Sequence, residues 1–204
     1  SHMYMLESID LPELTEITGS MCFSSTRNLK EFNAPKLTNL PDNTFNYSTI
    51  ENIELPNVVV LGEEIFYMSN IKSIKLDSVT EISTNAFGDC SDLETLYLPS
   101  ATHISSGVFI NNLYDDSSTV NIKIFAPNLV SLDSLPEQQG GATLYTSDKL
   151  ESITVTPDYD YTIVAPLNSY SKQWTEENGC NFIPSDYRDS SLSSPVNVED
   201  KGRS

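Results

Sequence analysis

Histidine is almost missing from this 204-residue chain, which carries only His2 and His103. His2 lies in Ser1-His2-Met3, which reads as a protease-site and cloning remnant and is set aside with residues 1–3. A Ser-His-Asp or Cys-His arrangement therefore has a single possible base, and no sequence context surrounds it. Cysteine is scarce as well. Cys22, Cys90 and Cys180 are far apart and in no CxxC spacing, so zinc is not expected and small buried hydrophobes are. Basic residues number 11 against 29 acidic ones, a net charge of −18. That balance disfavours nucleic acid and anionic membrane surfaces, which need a concentrated positive field. No apolar run approaches the roughly 18–20 residues of a membrane span. No glycine-rich phosphate cradle occurs either; Gly140-Gly141 reads as a turn, and no cofactor or resident metal is expected.

What the chain does have is a repeat. The stretch 71–99, IKSIKLDSVTEISTNAFGDCSDLETLYLP, holds one full cycle and the start of the next. Ile71, Ile74, Leu76, Val79, Ile82, Ala86 and Phe87 are apolar at fixed offsets, and Leu93, Leu96 and Leu98 restart the cycle after 22 residues. A period of this length specifies a solenoid, in which no coil can bury a core alone and each covers its neighbour's face.

The coils align on Pro12, Pro35, Pro56, Asp77, Pro99, Pro127 and Thr156. Three residues before these anchors stand Ile9, Phe32, Ile53, Ile74, Leu96, Ile124 and Ile153. Apolar alternation up to the anchor is strand periodicity, and proline ends the strand because it cannot donate to a ladder. Five residues past the anchor come Ile17, Leu40, Leu61, Ile82, Ile104 and Leu132; beyond them Phe23, Phe45, Phe66, Phe87 and Phe109 mark five successive coils. These phenylalanines are expected to stack at the back of the coil. Five or six buried apolar groups per coil, at roughly 1.5–3 kcal/mol each, offset the ordering entropy.

The anchor intervals are 23, 21, 21, 22, 28 and 29 residues, so loop insertions are expected at about 110–119 and 133–149. The coils thus span 4–149. Residues 150–184 read as a last rung and a C-terminal β/α cap: a short strand in TIVAP, then a helix in NSYSKQWTEENGCNF with Tyr170, Trp174 and Phe182 covering the end of the core. Residues 185–204, without periodicity, read as a tail or linker.

The phrase LETLYLP (93–99) and the IxxxAFxxC segment exemplified by ISTNAFGDC (82–90), with IVAP…Y…W…F at 164–182, resemble the BspA-like subclass of leucine-rich repeats. The fold expected from the resemblance is a repeat solenoid with a parallel β ladder on one face and a loop or short-helix back side. The resemblance further implies a secreted or cell-surface protein engaged in adhesion or protein recognition.

The outward side of the strands is where a partner is expected. Five residues before the anchors, Glu7, Lys30, Glu51, Lys72 and Glu94 alternate in sign. Further along, Tyr97, Ile122 and Phe125, with Thr154 on the next rung, form the candidate binding patch. Two arrangements are open: the 133–149 insertion folds back over the patch, or the patch is exposed. Asp115-Asp116 and Asp158/Asp160 are oxygen-rich pairs that calcium could use, set in loop contexts where exposed Asp is ordinary. The leading expectation is a non-enzymatic module recognising a protein or glycan. A structural spacer of a surface or virion appendage is the alternative, and a carboxylate-based glycoside hydrolase is a remote one.

Overall fold

The computed structural model describes residues 5–110 and 120–185. Residues 111–119 of the insertion expected at about 110–119, the Asp115-Asp116 pair within it and the tail beyond Ser185 lie outside the described residues. In chain order the elements are β1 (Ser8–Asp10), β2 (Glu31–Asn33), β3 (Asn39–Leu40), β4 (Asn52–Glu54), β5 (Val60–Leu61), β6 (Ser73–Lys75), β7 (Glu81–Ile82), β8 (Thr95–Tyr97), β9 (His103–Ile104), β10 (Ile122–Phe125), β11 (Ser131–Leu132), β12 (Ala142–Tyr145), β13 (Ser152–Ile153), β14 (Tyr161–Ala165), α1 (Tyr170–Asn178) and β15 (Asn181–Pro184).

All strand pairings are parallel, and each joins one coil to the next. The main sheet runs β4-β6-β8-β10-β12-β14-β15, with the β1-β2 pair continuing it beside β4. A second, narrower set of strands runs β7-β9-β11-β13, preceded by β3-β5. The chain therefore winds as a parallel β-solenoid. The apolar columns read in the sequence lie inside it: Ile53, Ile74, Leu96, Ile124, Leu144 and Ile163 are in register across the main sheet and buried.

One column differs from the sequence expectation. Residues 133–149 are not a plain loop insertion, because 142–145 form β12 between β10 and β14. Leu144, not Ile153, holds the inward place there. Ile153 instead continues the second set, opposite Leu132. The anchor intervals after Pro127 become 20 and 19 residues, to Ser147 and then Pro166, so the spacing tightens rather than loosens.

The back of the coil is built from turns, and among the described residues the one α-helix is α1. The phenylalanine column forms as expected: successive ring centroids from Phe23 to Phe109 lie 5.4, 5.6, 5.8 and 6.0 Å apart. Backbone bonds tie these turns together along the stack, from Phe45 N to Ile65 O (2.9 Å) and from Phe66 N to Ala86 O (3.0 Å). Four of these turns pass twice through left-handed backbone, at Met21, Asn43, Glu64 and Asn85 and again at Ser25, Tyr47, Met68 and Asp89, and the fifth has Gly107 at the first of these corners. Only Gly107 meets that demand without a Cβ.

The C-terminal helix is shorter than its sequence stretch. It stops at Gly179, whose φ of 70° lets its N–H return to Thr175 O, and residues 181–184 then add β15 to the sheet. The helix packs on β13, β14 and β15 with Trp174 buried, whereas Tyr170 faces solvent.

Candidate functional site

Alternation along the main-sheet strands sends one column inward and its neighbours outward. The outward column two residues before the anchors reads Asp10, Asn33, Glu54, Lys75, Tyr97, Phe125, Tyr145, Val164 and Ile183, with register recorded for every neighbouring pair except Asn33 and Glu54. Its first half is charged or amide-bearing. Asn33 Nδ2 donates to Asp10 at 2.7 Å, and Lys75 lies 3.3 Å from Asp77. Its second half is aromatic, then aliphatic. Lys75 Nζ lies 5.9 Å from the Tyr97 ring centroid; Tyr97 and Phe125 are 6.2 Å apart; Phe125 and Tyr145 stack at 4.5 Å with planes 10° apart. Burial, followed by the charge of Asp77, pushes the Tyr97 hydroxyl upward, with Lys75 acting the other way.

Tyr97 and Phe125 are thus side by side, but not as an exposed pair: they are 4% and 2% accessible. Ile122 does not belong to the outward surface. Strand β10 begins one residue earlier than β8, so the position of Ile122 falls into the inward phase with Ile124 and joins the core. Thr154 is not on this face either. It follows β13 in the second set of strands, where its hydroxyl donates to Asp133 at 2.7 Å. Tyr145 is the member the sequence reading missed. Its phrase ATLYT carries the alternation but lacks the proline that ends most other strands. On this face Tyr145 is half-buried and Ile183 half-exposed, while Val164 is covered.

The alternating charge column is a looser device. Within it the recorded pair is Lys72–Glu51 at 2.8 Å, and the Glu51 carboxylate raises the Lys72 ammonium above its ordinary value. A tighter ladder sits one residue past the anchors. Asn57, Ser78, Ser100 and Asn128 each donate to the carbonyl of the preceding coil's anchor, Pro35, Pro56, Asp77 and Pro99, at 2.6–2.7 Å.

His103 points outward, as its place in the coil requires. Its Nδ1 bonds to Ser131 Oγ, and its Nε2 lies 3.4 Å from Asp133. Serine, imidazole and carboxylate are therefore adjacent on neighbouring rungs. Acyl transfer also needs amide donors aimed at a developing oxyanion. Here Ser131 N and Asp133 N are committed to Thr102 O and Ile104 O. The cluster works as a rung-to-rung clasp.

Among the described residues no group of three or more His, Cys, Asp or Glu is arranged to hold a metal, and Asp158 and Asp160 are both exposed. Cys90 is buried and donates to Phe66 O at 2.9 Å; burial pushes its thiol up to about 12. No helix of the described residues is long and apolar enough to cross a membrane.

The profile of the BspA type leucine rich repeat region matches in six copies over residues 1–114, more than half of the chain. A leucine-rich repeat protein from Bacteroides ovatus overlays 88% of the chain at 20% identity and a TM-score of 0.40; the chain spans 54% of that protein's length. The pneumococcal vaccine antigen PcpA overlays 88% of the chain at 14% identity and a TM-score of 0.40, with 68% of the antigen covered. No curated protein matches.

Proposed function

Because the chain belongs to the BspA-type leucine-rich repeat family, we propose that it is a non-enzymatic binding module of a secreted or cell-surface protein. It engages a protein or glycan through the C-terminal half of the main-sheet face. The observation that supports this reading is the change along one outward column, from Asp10, Asn33, Glu54 and Lys75 to Tyr97, Phe125, Tyr145, Val164 and Ile183. A solenoid needs outward side chains only for solubility, and charge serves that throughout the first half. Aromatic and aliphatic groups at the same places serve contact instead. Tyr97 and Phe125 act beneath the contact: the stacked Phe125 ring fixes Tyr145, so that little freedom is lost on binding. Tyr145 and Ile183 are the groups a partner touches, bordered by Lys123, Thr143 and Thr162 of the neighbouring outward column.

A glycan array and a surface-protein library identify the partner, and the variant Tyr145→Ala with Ile183→Ser then tests the face. Binding should fall at least tenfold while the thermal midpoint stays within a few degrees. Binding that survives in a folded double variant overturns this assignment of the face, and a screen that finds no partner leaves the spacer role.

A further inference from the structure

Charge in the first half of the main-sheet face follows an order that the chain itself uses only in part. Five residues before the anchors stand Lys30, Glu51, Lys72 and Glu94; two before them stand Asn33, Glu54, Lys75 and Tyr97. In the first column Lys72 takes Glu51 at 2.8 Å, and in the second Lys75 turns to Asp77 at 3.3 Å. Lys30, Glu54 and Glu94 are exposed and form no ion pair among the described residues. Glu51 and Lys72, although paired, leave 49% and 42% of their side-chain surface open. The strands that carry these groups, β2, β4, β6 and β8, each have a neighbouring strand on both sides, so the surface in question is their outward face and not an edge.

Solubility needs charge but not alternation, and an alternating column is complementary to its own reverse. A twofold axis along the strand direction, midway between β4 and β6 and between two facing sheets, keeps every column opposite itself and reverses the coil order. Strand β4 then faces β6 of the other copy, and β2 faces β8. Glu51 meets Lys72, Lys30 meets Glu94 and Glu54 meets Lys75, each pair occurring twice. The column between sets Glu31 against Thr95 and Asn52 against Ser73. Moving the axis onto β4 sets Lys30 against Lys72, and moving it onto β6 sets Glu51 against Glu94. Turning it along the stack sets Glu51 against Glu54 and Lys72 against Lys75. We propose that this half of the face is a self-recognition surface, and that its occupant is a second copy of the chain in that one orientation. The proposal goes beyond the partner-binding reading, whose Tyr145 and Ile183 lie on β12 and β15, outside the four rungs. The net charge of −18 opposes random association, whereas the outward charges of β4 and β6 balance, Glu51 and Glu54 against Lys72 and Lys75. Four rungs at about 4.8 Å make a small face, so the dimer belongs with the weak interfaces, below about 1,200 Å².

Sedimentation equilibrium of the full chain should show a dimer that grows with concentration. Lys30→Glu alone and Glu94→Lys alone should each weaken it at least tenfold, with circular dichroism confirming the fold. Mixed in equal amounts, the two variants should dimerise again. The acidic side chain placed at position 30 in one then faces the basic side chain placed at position 94 in the other, while the native Lys30 and Glu94 face each other across the second contact. Crowding of like charges within each variant's own column is unchanged by mixing, so recovery reports the contact between copies. A chain that stays monomeric at millimolar concentration overturns the proposal. So does a dimer indifferent to both substitutions, or a mixture of the two folded variants that stays monomeric.

Discussion

Phe45 and Phe66 lie with ring centroids 5.6 Å apart and planes only 3° from parallel, and Phe66 repeats the arrangement with Phe87 at 5.8 Å. Phe66 is therefore covered on both ring faces and wholly buried. Truncation to alanine opens a cavity that neither neighbour can close, because each is held by its own backbone ladder. Phe66→Ala should cost roughly 3–5 kcal/mol in equilibrium denaturation. A loss below about 1 kcal/mol would mean that the column does not support the stack.

Tyr97 and Phe125 give a contrasting case on the opposite side of the sheet. They point outward yet are nearly inaccessible, so they should behave as core. Phe125→Ala alone should lose roughly 3–5 kcal/mol, and Tyr97→Ala with Phe125→Ala should lower the thermal midpoint substantially. Any binding loss in that double variant reports unfolding, which is why the functional test uses Tyr145 and Ile183.

Gly141 is required by its surroundings. It sits at φ +62°, and a Cβ there would stand 1.8 Å from Asp160 O, an oxygen that accepts the N–H of Ala142. Strain and overlap each cost about 1–3 kcal/mol. Gly141→Ala should therefore shift the denaturation midpoint more than any surface substitution, and a near-neutral result would mean that 140–142 is free to rearrange.

Cys90 should be chemically silent. With its thiol pushed up to about 12 by burial, the thiolate fraction at pH 8 is on the order of one part in 10,000. Ellman's reagent on the folded chain should modify the half-buried Cys22 and Cys180 first, with Cys180 slowed because burial raises its thiol too. Cys90 should react only at the rate of unfolding. Raising the pH from 7 to 9 should leave it protected, since that range lies well below its titration.

Most of the coil was legible because inward columns are enforced by burial and recur at fixed offsets. Ile74, Val79, Ile82 and Phe87 could have been placed from any one repeat. The legible signal failed where a coil kept the alternation but changed the punctuation. Strand β12 lacks a closing proline, so the sequence pattern points to Ile153, an apolar residue in a similar phrase, where the structure has Leu144. Thr154 follows Ile153 into the second set of strands, and Ile122 turns inward because β10 extends one residue further back than β8 and so brings that position into the strand alternation. The left-handed corners were legible only in part: Asn43, Asn85, Asp89 and Gly107 are residue types that tolerate that backbone. Glu64, Tyr47 and Met68 have no intrinsic preference for that backbone, which the ladder on either side imposes.

The parallel ladders have a mechanical consequence. Their hydrogen bonds run from coil to coil, along the axis of the stack. Tension applied between the two ends would load those bonds lengthwise, opening one rung before the next is stressed, so the molecule would part coil by coil at modest force. Tension applied across a coil, along the strands, would have to shear every bond of a rung at once. A molecule anchored at one end and held by its sheet face at the other would meet both loads, and its extension under force would come first from the coils nearest the anchor.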